Sequence, residues 1–157
     1  MIDQHITDQV ASRLARAYQT GVACPPVRDI VPNTDTAYAI QASMTEAWLA
    51  KGRRLVGRKI GLTAASVQQQ LGINQPDCGA LFADMAHGDG DEVPIATLLQ
   101  PRVAGAIAFC LSRDLTMEQP TLADVIGAVD YAVASIEIVD GTDPKSGQWC
   151  RASIRGF

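Results

Sequence analysis

A segment of strict alternation, from Pro101 to Leu111, most limits what this chain can fold into. Every second side chain there shares one face, which carries Val103, Gly105, Ile107, Phe109 and Leu111. The opposite face carries only small residues, namely Ala104, Ala106, Ala108 and Cys110. A period of two sustained over this length is typical of a β-strand. We therefore expect the chain to build a sheet around this segment.

The N-terminal third has the periodicity of two amphipathic helices. Apolar residues recur at helical spacing over residues 6–18, and Gly21 follows where the helix would end. A second helix is predicted to begin near Thr34 or Asp35, after a proline-rich crossing, and to end at Gly52. This part of the chain is predicted to be mainly helical.

Shorter elements are predicted in the rest of the chain. The run 54–62 is bounded by glycines, which predicts a strand with a bulge or a close backbone approach. The other predicted elements are a helix over 64–71, a loop over 74–79, a strand over 80–85, a turn over 87–91, a helix capped by Thr121 and Asp124, and a strand over 134–139.

The order of these elements predicts an α+β fold, with helices first and mixed strands after them. We divide the chain into an N-terminal helical region over 1–53, a strand-rich region over 54–140 and a tail over 141–157. No internal repeat or low-complexity segment interrupts these regions.

Charge and hydropathy exclude several classes of function. The net charge is −4, with a calculated isoelectric point near 5.0 and no cluster of Lys and Arg, which argues against nucleic-acid binding. The longest mainly apolar run, 103–111, is far shorter than the roughly 20 residues of a membrane helix. The N-terminal residues do not resemble a secretory signal, so we expect a cytoplasmic protein.

The cysteines and histidines do not form a recognisable zinc pattern. Cysteines stand at positions 24, 78, 110 and 150, without a C-x-x-C pair, and the histidines are His5 and His87. We interpret the cysteines as reduced thiols. A metal site in this chain would need oxygen ligands.

Three charged residues are candidates for chemistry, each with a simpler alternative. Glu137 lies in a predicted strand, where a solvent-facing role is the simpler interpretation. Lys59 would either be solvated or hold an anionic substrate. Asp77, between Pro76 and Gly79, would either shape a turn or act in a pocket.

Several motifs in order give these residues a context. They are VGRKIGLT at 56–63, VQQQLG at 67–72, QPDCG at 75–79, LFADM at 81–85, LQPRV at 99–103 and IEIVD at 136–140. Together they resemble the 2-oxopent-4-enoate hydratases, also called 2-keto-4-pentenoate or 2-hydroxypenta-2,4-dienoate hydratases, of the fumarylacetoacetate hydrolase superfamily. The resemblance covers nearly all of residues 1–140. The related oxalocrotonate decarboxylases share the scaffold, but the motifs at 67–72 and 81–85 look more like the hydratases.

The resemblance implies a hydro-lyase of the meta-cleavage route for aromatic compounds. Such an enzyme adds water to 2-hydroxypenta-2,4-dienoate and gives 4-hydroxy-2-oxopentanoate. Its fold would be a mixed β-roll after an N-terminal helical segment, and the family generally forms homo-oligomers.

The same resemblance implies a metal site and two further functional residues. The family holds Mg²⁺ or Mn²⁺ with three glutamates, two on one strand and one on a later strand, and the metal polarises the 2-oxo acid. Glu137 matches the third of these ligands. Lys59 matches a lysine that holds the substrate, and Asp77 matches a carboxylate that could serve as acid or base.

Two departures from the family pattern bear on activity. The positions of the paired glutamates are Ala104 and Ala106 in this chain, so that one of three carboxylates remains. After Asp140 the sequence diverges, and the β-roll is expected to be incomplete at its C-terminus. We therefore expect weak metal binding and an impaired hydratase. The alternative is a noncatalytic subunit that binds a partner chain or a 2-oxo acid.

Overall fold

The computed structural model describes the backbone of residues 3–141 and 149–155, and the side chains of residues 3–141 except that of Leu71. The elements are α1 (Gln4–Thr20), α2 (Thr34–Ala50), β1 (Leu55–Gly61), α3 (Ala65–Leu71), β2 (Asp77–Phe82), β3 (Ala86–His87), β4 (Pro101–Leu111), α4 (Leu122–Ala128), β5 (Val129–Gly141) and β6 (Trp149–Arg155). The predicted mixture of helices and strands is confirmed. The incomplete β-roll and the three regions stay predictions.

Helices α1 and α2 pack against each other and form a core of their own. Helix α1 begins at Asp3, whose side chain accepts hydrogen bonds from the backbone N–H groups of His5 and Ile6, and it ends at Gly21 with a left-handed φ of 65°. Helix α2 is capped by Asn33, one residue before the predicted start. The buried apolar residues between them are Val10, Ala11, Leu14, Val27, Ile40 and Met44.

Strands β1 and β2 form an antiparallel two-stranded sheet. The predicted strand over 54–62 is confirmed, and a register shift between Leu55 and Gly57 provides the expected bulge. The prediction of a loop over 74–79 and a strand over 80–85 was wrong in its boundaries. Strand β2 already begins at Asp77, and residues 83–85 form a 3₁₀ turn. Pairing with β1 overrides the low strand propensity of Asp and Gly in this segment.

The second sheet has four strands in the order β3-β6-β5-β4. Strands β4 and β5 pair antiparallel from Pro101↔Asp140 to Leu111↔Val129. Strand β5 is thus longer than the predicted 134–139, because its ladder with β4 runs from Val129 to Asp140. The buried Asp140 carboxylate accepts hydrogen bonds from the N–H groups of Leu99 and Gln100 and so fixes the entry into β4.

The predicted tail over 141–157 lies partly outside the described residues. Gly141 ends β5, and the described backbone of 149–155 forms β6, which pairs antiparallel with β5 and parallel with β3. Within the described part of the chain, no helix is long and apolar enough to cross a membrane.

Candidate functional site

The candidate site begins on one face of the β1–β2 pair. Lys59 lies opposite Gly79, and Asp77 lies opposite Gly61. Since side chains two residues apart share a face of a strand, the lysine and the aspartate are diagonal neighbours on the same face. Each charged side chain therefore has a glycine as its cross-strand partner, which leaves room above the sheet.

Gly61 is the point where these two side chains converge. A Cβ atom at this residue would collide with Asp77 Oδ1 and would lie 2.8 Å from Lys59 Nζ. The space that any other residue would fill is thus shared by the ammonium and the carboxylate. The sequence predicted a close backbone approach in this strand without indicating which atoms approach.

Glu137 reaches the same place from the other sheet. Its Oε1 lies 3.0 Å from Lys59 Nζ, and the two side chains are 15% and 19% exposed, respectively. The contact is an ion pair without the directionality of a hydrogen bond, since Glu137 Oε1 has no hydrogen-bond partner. The simpler interpretation of Glu137 as a solvent-facing strand residue was therefore wrong. Strand alternation cannot reveal a second sheet that covers the outward face.

Asp77 also carries a buried oxygen without a partner. Its Oδ1 is inaccessible to solvent and has no hydrogen-bond partner among the described residues. Such an orphaned acceptor is costly unless a donor reaches it. The face over Gly61 thus presents two carboxylates around one lysine, with hydrogen-bonding capacity left over for a ligand or water.

Strand β4 lies beside Glu137 in the second sheet. Ala104 pairs with Glu137, and Ala106 pairs with Ser135, so these four side chains share one face of the second sheet. The two alanines are exposed. A carboxylate at either position would lie next to that of Glu137.

The residues present do not fit a divalent metal. Mg²⁺ demands near-octahedral oxygen coordination and gives up its waters reluctantly, whereas this face offers methyl groups at 104 and 106 and a Glu137 carboxylate already paired with Lys59. No group of three or more His, Cys, Asp or Glu side chains that could hold a metal occurs among the described residues.

Helix α2 holds the start of β2 in place. The backbone N–H of Cys78 donates to Tyr38 Oη at 3.2 Å, and Gln41 Nε2 donates to the carbonyl of Cys78 at 3.0 Å. The hydrogen bond with the Cys78 thiol and partial burial raise the pKa of Tyr38. These two helix residues therefore orient the residue next to Asp77. Sequence reasoning missed them because their partners are about 40 positions away.

A residue with a strained backbone directly follows β1 and Gly61. Leu62 adopts a left-handed φ of 55°, which is uncommon for a residue with a side chain. Gln68 Nε2 donates to the Leu62 carbonyl at 2.6 Å and holds this turn. The glutamine run of α3 thus contributes to the geometry of the β1 end, which its composition did not indicate.

A comparison with curated protein sequences identifies relatives of this chain. The chain is 54% identical over 136 residues to 2-keto-4-pentenoate hydratase 1 of Dechloromonas aromatica, a match that covers 85% of this chain and 52% of the relative. It is 51% identical over 142 residues to the 2-keto-4-pentenoate hydratase of Burkholderia vietnamiensis, covering 89% of this chain and 54% of that protein. The chain is a relative of the 2-keto-4-pentenoate hydratases.

A third relative is more distant. The match covers only part of the length of each of these three proteins. A 2-hydroxypent-2,4-dienoate hydratase of Pseudomonas putida is 36% identical over 142 residues, covering 88% of this chain and 64% of that protein. The chain spans about half the length of the first two hydratases. No family model matches it.

Two solved structures with a similar fold are complexes of a 4-oxalocrotonate decarboxylase. The 4-oxalocrotonate decarboxylase of Pseudomonas putida G7, complexed with magnesium and adipate, superimposes with a TM-score of 0.84 at 24% identity, covering 94% of this chain and 57% of that one. Its complex with calcium and acetate gives 0.82 at 26% identity, covering 92% and 57%. This chain thus has the fold of the fumarylacetoacetate hydrolase superfamily.

Proposed function

We propose that this chain carries a 2-hydroxypenta-2,4-dienoate hydratase site in which the groups for substrate binding and proton transfer are retained and the metal carboxylates are reduced to one. The observation that carries the proposal is that Lys59 and Asp77 converge over Gly61 and that Glu137 contacts the same lysine. Relatives at about half identity are named for this reaction, which supports the substrate class.

The two retained groups have separate roles in this proposal. The Lys59 ammonium attracts the carboxylate of a small 2-hydroxydienoate or 2-oxo acid. Water addition requires removal of a proton from the attacking water and delivery of a proton to a substrate carbon. We assign this proton exchange to Asp77, because its Oδ1 is buried and has no hydrogen-bond partner among the described residues and its side chain shares a face with that of Lys59.

The alanines at 104 and 106 set the expected level of activity. The solved relatives by fold are complexed with magnesium or calcium, which is consistent with a divalent ion in such sites. In this chain Glu137 faces two methyl groups instead of two carboxylates. We expect the hydratase rate to be low and any gain from Mg²⁺ or Mn²⁺ to be small.

Turnover of 2-hydroxypenta-2,4-dienoate, followed by loss of the dienol absorbance, tests this proposal. The chain is compared with Lys59→Met and Asp77→Asn variants at saturating Mg²⁺ and Mn²⁺. A slow rate that both substitutions abolish supports the assigned roles. A rate that neither substitution changes would contradict them.

A second candidate function is that of a noncatalytic subunit that binds another chain, as a second copy or a homologous subunit. Among the described strands, β4 is at an edge of its sheet, and after Arg102 it carries no charge to discourage pairing. Its large apolar residues are 50% to 69% exposed, namely Val103, Ile107, Phe109 and Leu111. Such a surface favours protein association.

The two candidates differ in what size-exclusion chromatography with light scattering would find. Co-elution with a full-length hydratase, weakened by Ile107→Lys and unchanged by Lys59→Met, supports the subunit. A monomer with measurable turnover supports the enzyme. We place either function in the cytoplasm, without nucleic-acid or membrane partners.

A further inference from the structure

We propose that Glu137 serves in this chain as an internal carboxylate that occupies Lys59, so that an acid ligand binds without a divalent cation and must displace Glu137 to do so. The inference rests on the proposed function for its ligand class, a small 2-oxo acid. It goes further because it reverses the expected role of Glu137, from a group that recruits ligand through a metal to one that competes with ligand.

The first support is the ion pair itself. Glu137 Oε1 lies 3.0 Å from Lys59 Nζ, and both side chains are more than four-fifths buried. The attraction between two charges is screened less when the pair is shielded from water than when it is exposed. A ligand carboxylate that seeks Lys59 therefore meets an occupied ammonium.

The second support is the local charge. Asp77 Oδ1 lies over the same glycine as Lys59 Nζ, so the lysine is flanked by two carboxylates. With all three groups charged, the cluster has a net charge of minus one and repels an anion. Neutralising Glu137 would bring the cluster to zero and release the ammonium, whereas neutralising an exposed carboxylate elsewhere would do neither.

The third support is that the described side chains include no set of ligands for a cation around Glu137. Its cross-strand neighbour on β4 is Ala104, and the next position along the same face of β4 is Ala106; its neighbour on β6 is Ile154, an apolar residue type. A single carboxylate already engaged by an ammonium is a poor competitor for the hydration shell of Mg²⁺. Lys59 is thus the positive charge that balances Glu137.

The two roles of Glu137 predict opposite effects of Glu137→Gln. If Glu137 recruits ligand through a metal, the substitution weakens ligand binding and removes its dependence on Mg²⁺. If Glu137 competes for Lys59, the substitution tightens binding. The matched control is Asp84→Asn, which also removes one carboxylate from an ion pair, that with Arg53 at 2.7 Å, but on a side chain that is 60% exposed.

Calorimetric titration with 2-oxopentanoate, in excess EDTA and again in Mg²⁺, makes the test. We expect Glu137→Gln to bind about tenfold more tightly than the unchanged chain, with Asp84→Asn unchanged and Mg²⁺ without effect. Thermal melting of each variant verifies that it is folded. Should Glu137→Gln unfold, Glu137→Asp replaces it, because the shorter carboxylate holds Lys59 less closely and should tighten binding in the same direction.

Several results would overturn the proposal. They are weaker or equal binding to the folded Glu137 variant, a requirement for Mg²⁺ in the unchanged chain, and equal binding after Lys59→Met. The proposed hydratase function fails separately, through absence of turnover, and tighter binding to Glu137→Gln without turnover would leave the present inference standing.

Discussion

Ala104 lies directly opposite Glu137 in the antiparallel pairing of β4 with β5. Cross-strand partners on one face have Cβ atoms about 5 Å apart. A carboxylate at position 104 would thus lie beside that of Glu137, and one at 106 would lie one step along the same face. The sheet register thus provides three neighbouring positions at which carboxylates could form one site. Two of these positions are occupied by alanine, so only the carboxylate of Glu137 is present.

The double substitution Ala104→Glu and Ala106→Glu is expected to create Mn²⁺ binding. Three carboxylates on adjacent strand positions offer the oxygen ligands that hard cations prefer. Mn²⁺ binding, measured by the loss of free-ion electron paramagnetic resonance signal, should tighten at least about tenfold over the unchanged chain. The control is Val103→Glu with Ile107→Glu, which adds the same charge on the opposite face of β4. Equal Mn²⁺ affinity in both double variants would contradict the site.

Replacement of Lys59 by Met should lower the stability of the fold. The substitution leaves the Glu137 carboxylate largely buried and without its counter-charge, at a cost of about 1–3 kcal/mol in the free energy of unfolding. Urea denaturation measures this difference. Lys51→Met, at an exposed position after α2, is the matched control and should change stability little. A Lys59→Met protein as stable as this control would mean that the ion pair contributes nothing to the packing of the two sheets.

Much of the fold could be predicted from local patterns. The alternation over 101–111 gave β4, the helical spacing of the N-terminal segment gave α1, and Thr121 with Asp124 gave the capping box of α4, in which both reciprocal hydrogen bonds are present. These features depend on residues close in sequence. The start of β2 at Asp77 was missed because it depends on pairing with β1, and no local propensity encodes that partner.

The residues of the candidate site could be predicted from the sequence, but the contacts between them could not. Lys59, Asp77 and Glu137 were singled out through their motifs, and the structure brings the first and third to 3.0 Å. The ion pair joins two sheets that are distant in sequence, so neither strand pattern reveals it. The same holds for Tyr38, whose position in α2 carries no sign that its hydroxyl meets Cys78.

Gly61→Ala should weaken ligand binding far more than alanine at another strand glycine does. The new methyl group would collide with Asp77 Oδ1 and crowd Lys59 Nζ, so both side chains must move. Both atoms are at the ends of side chains that can rotate away, so the cost in stability should be small, but the displaced ammonium and carboxylate should bind 2-oxopentanoate at least about tenfold more weakly. Gly105→Ala is the control, because nothing lies within 4 Å of its added Cβ. If both variants melted and bound alike, the crowding over Gly61 would have no consequence.

The capping box of α4 should make part of the stability depend on pH. Hydrogen bonds from the side chain and backbone N–H of Thr121 lower the pKa of Asp124 below its ordinary 3.8. A carboxyl with a lowered folded-state pKa stabilises fully above its unfolded pKa, and the contribution disappears as the pH falls through the folded value. Asp124→Asn should therefore be less stable than the unchanged chain at pH 7, with the gap narrowing below about pH 4. A gap that is constant down to pH 2 would exclude this origin.

Tyr38→Phe should loosen the segment that carries Asp77 without unfolding the helices. The substitution removes the hydroxyl that accepts the Cys78 N–H at 3.2 Å, at a cost of about 1 kcal/mol. Amide hydrogen exchange at Cys78 should therefore accelerate, while exchange in the core of α1 stays unchanged. Gln41→Ala serves as a matched variant, because it removes the bond to the Cys78 carbonyl but leaves its N–H bonded. If Tyr38 orients Asp77 through this contact, Tyr38→Phe should also weaken 2-oxopentanoate binding. Unchanged exchange at Cys78 would show that the strand start is held by its β1 partner alone.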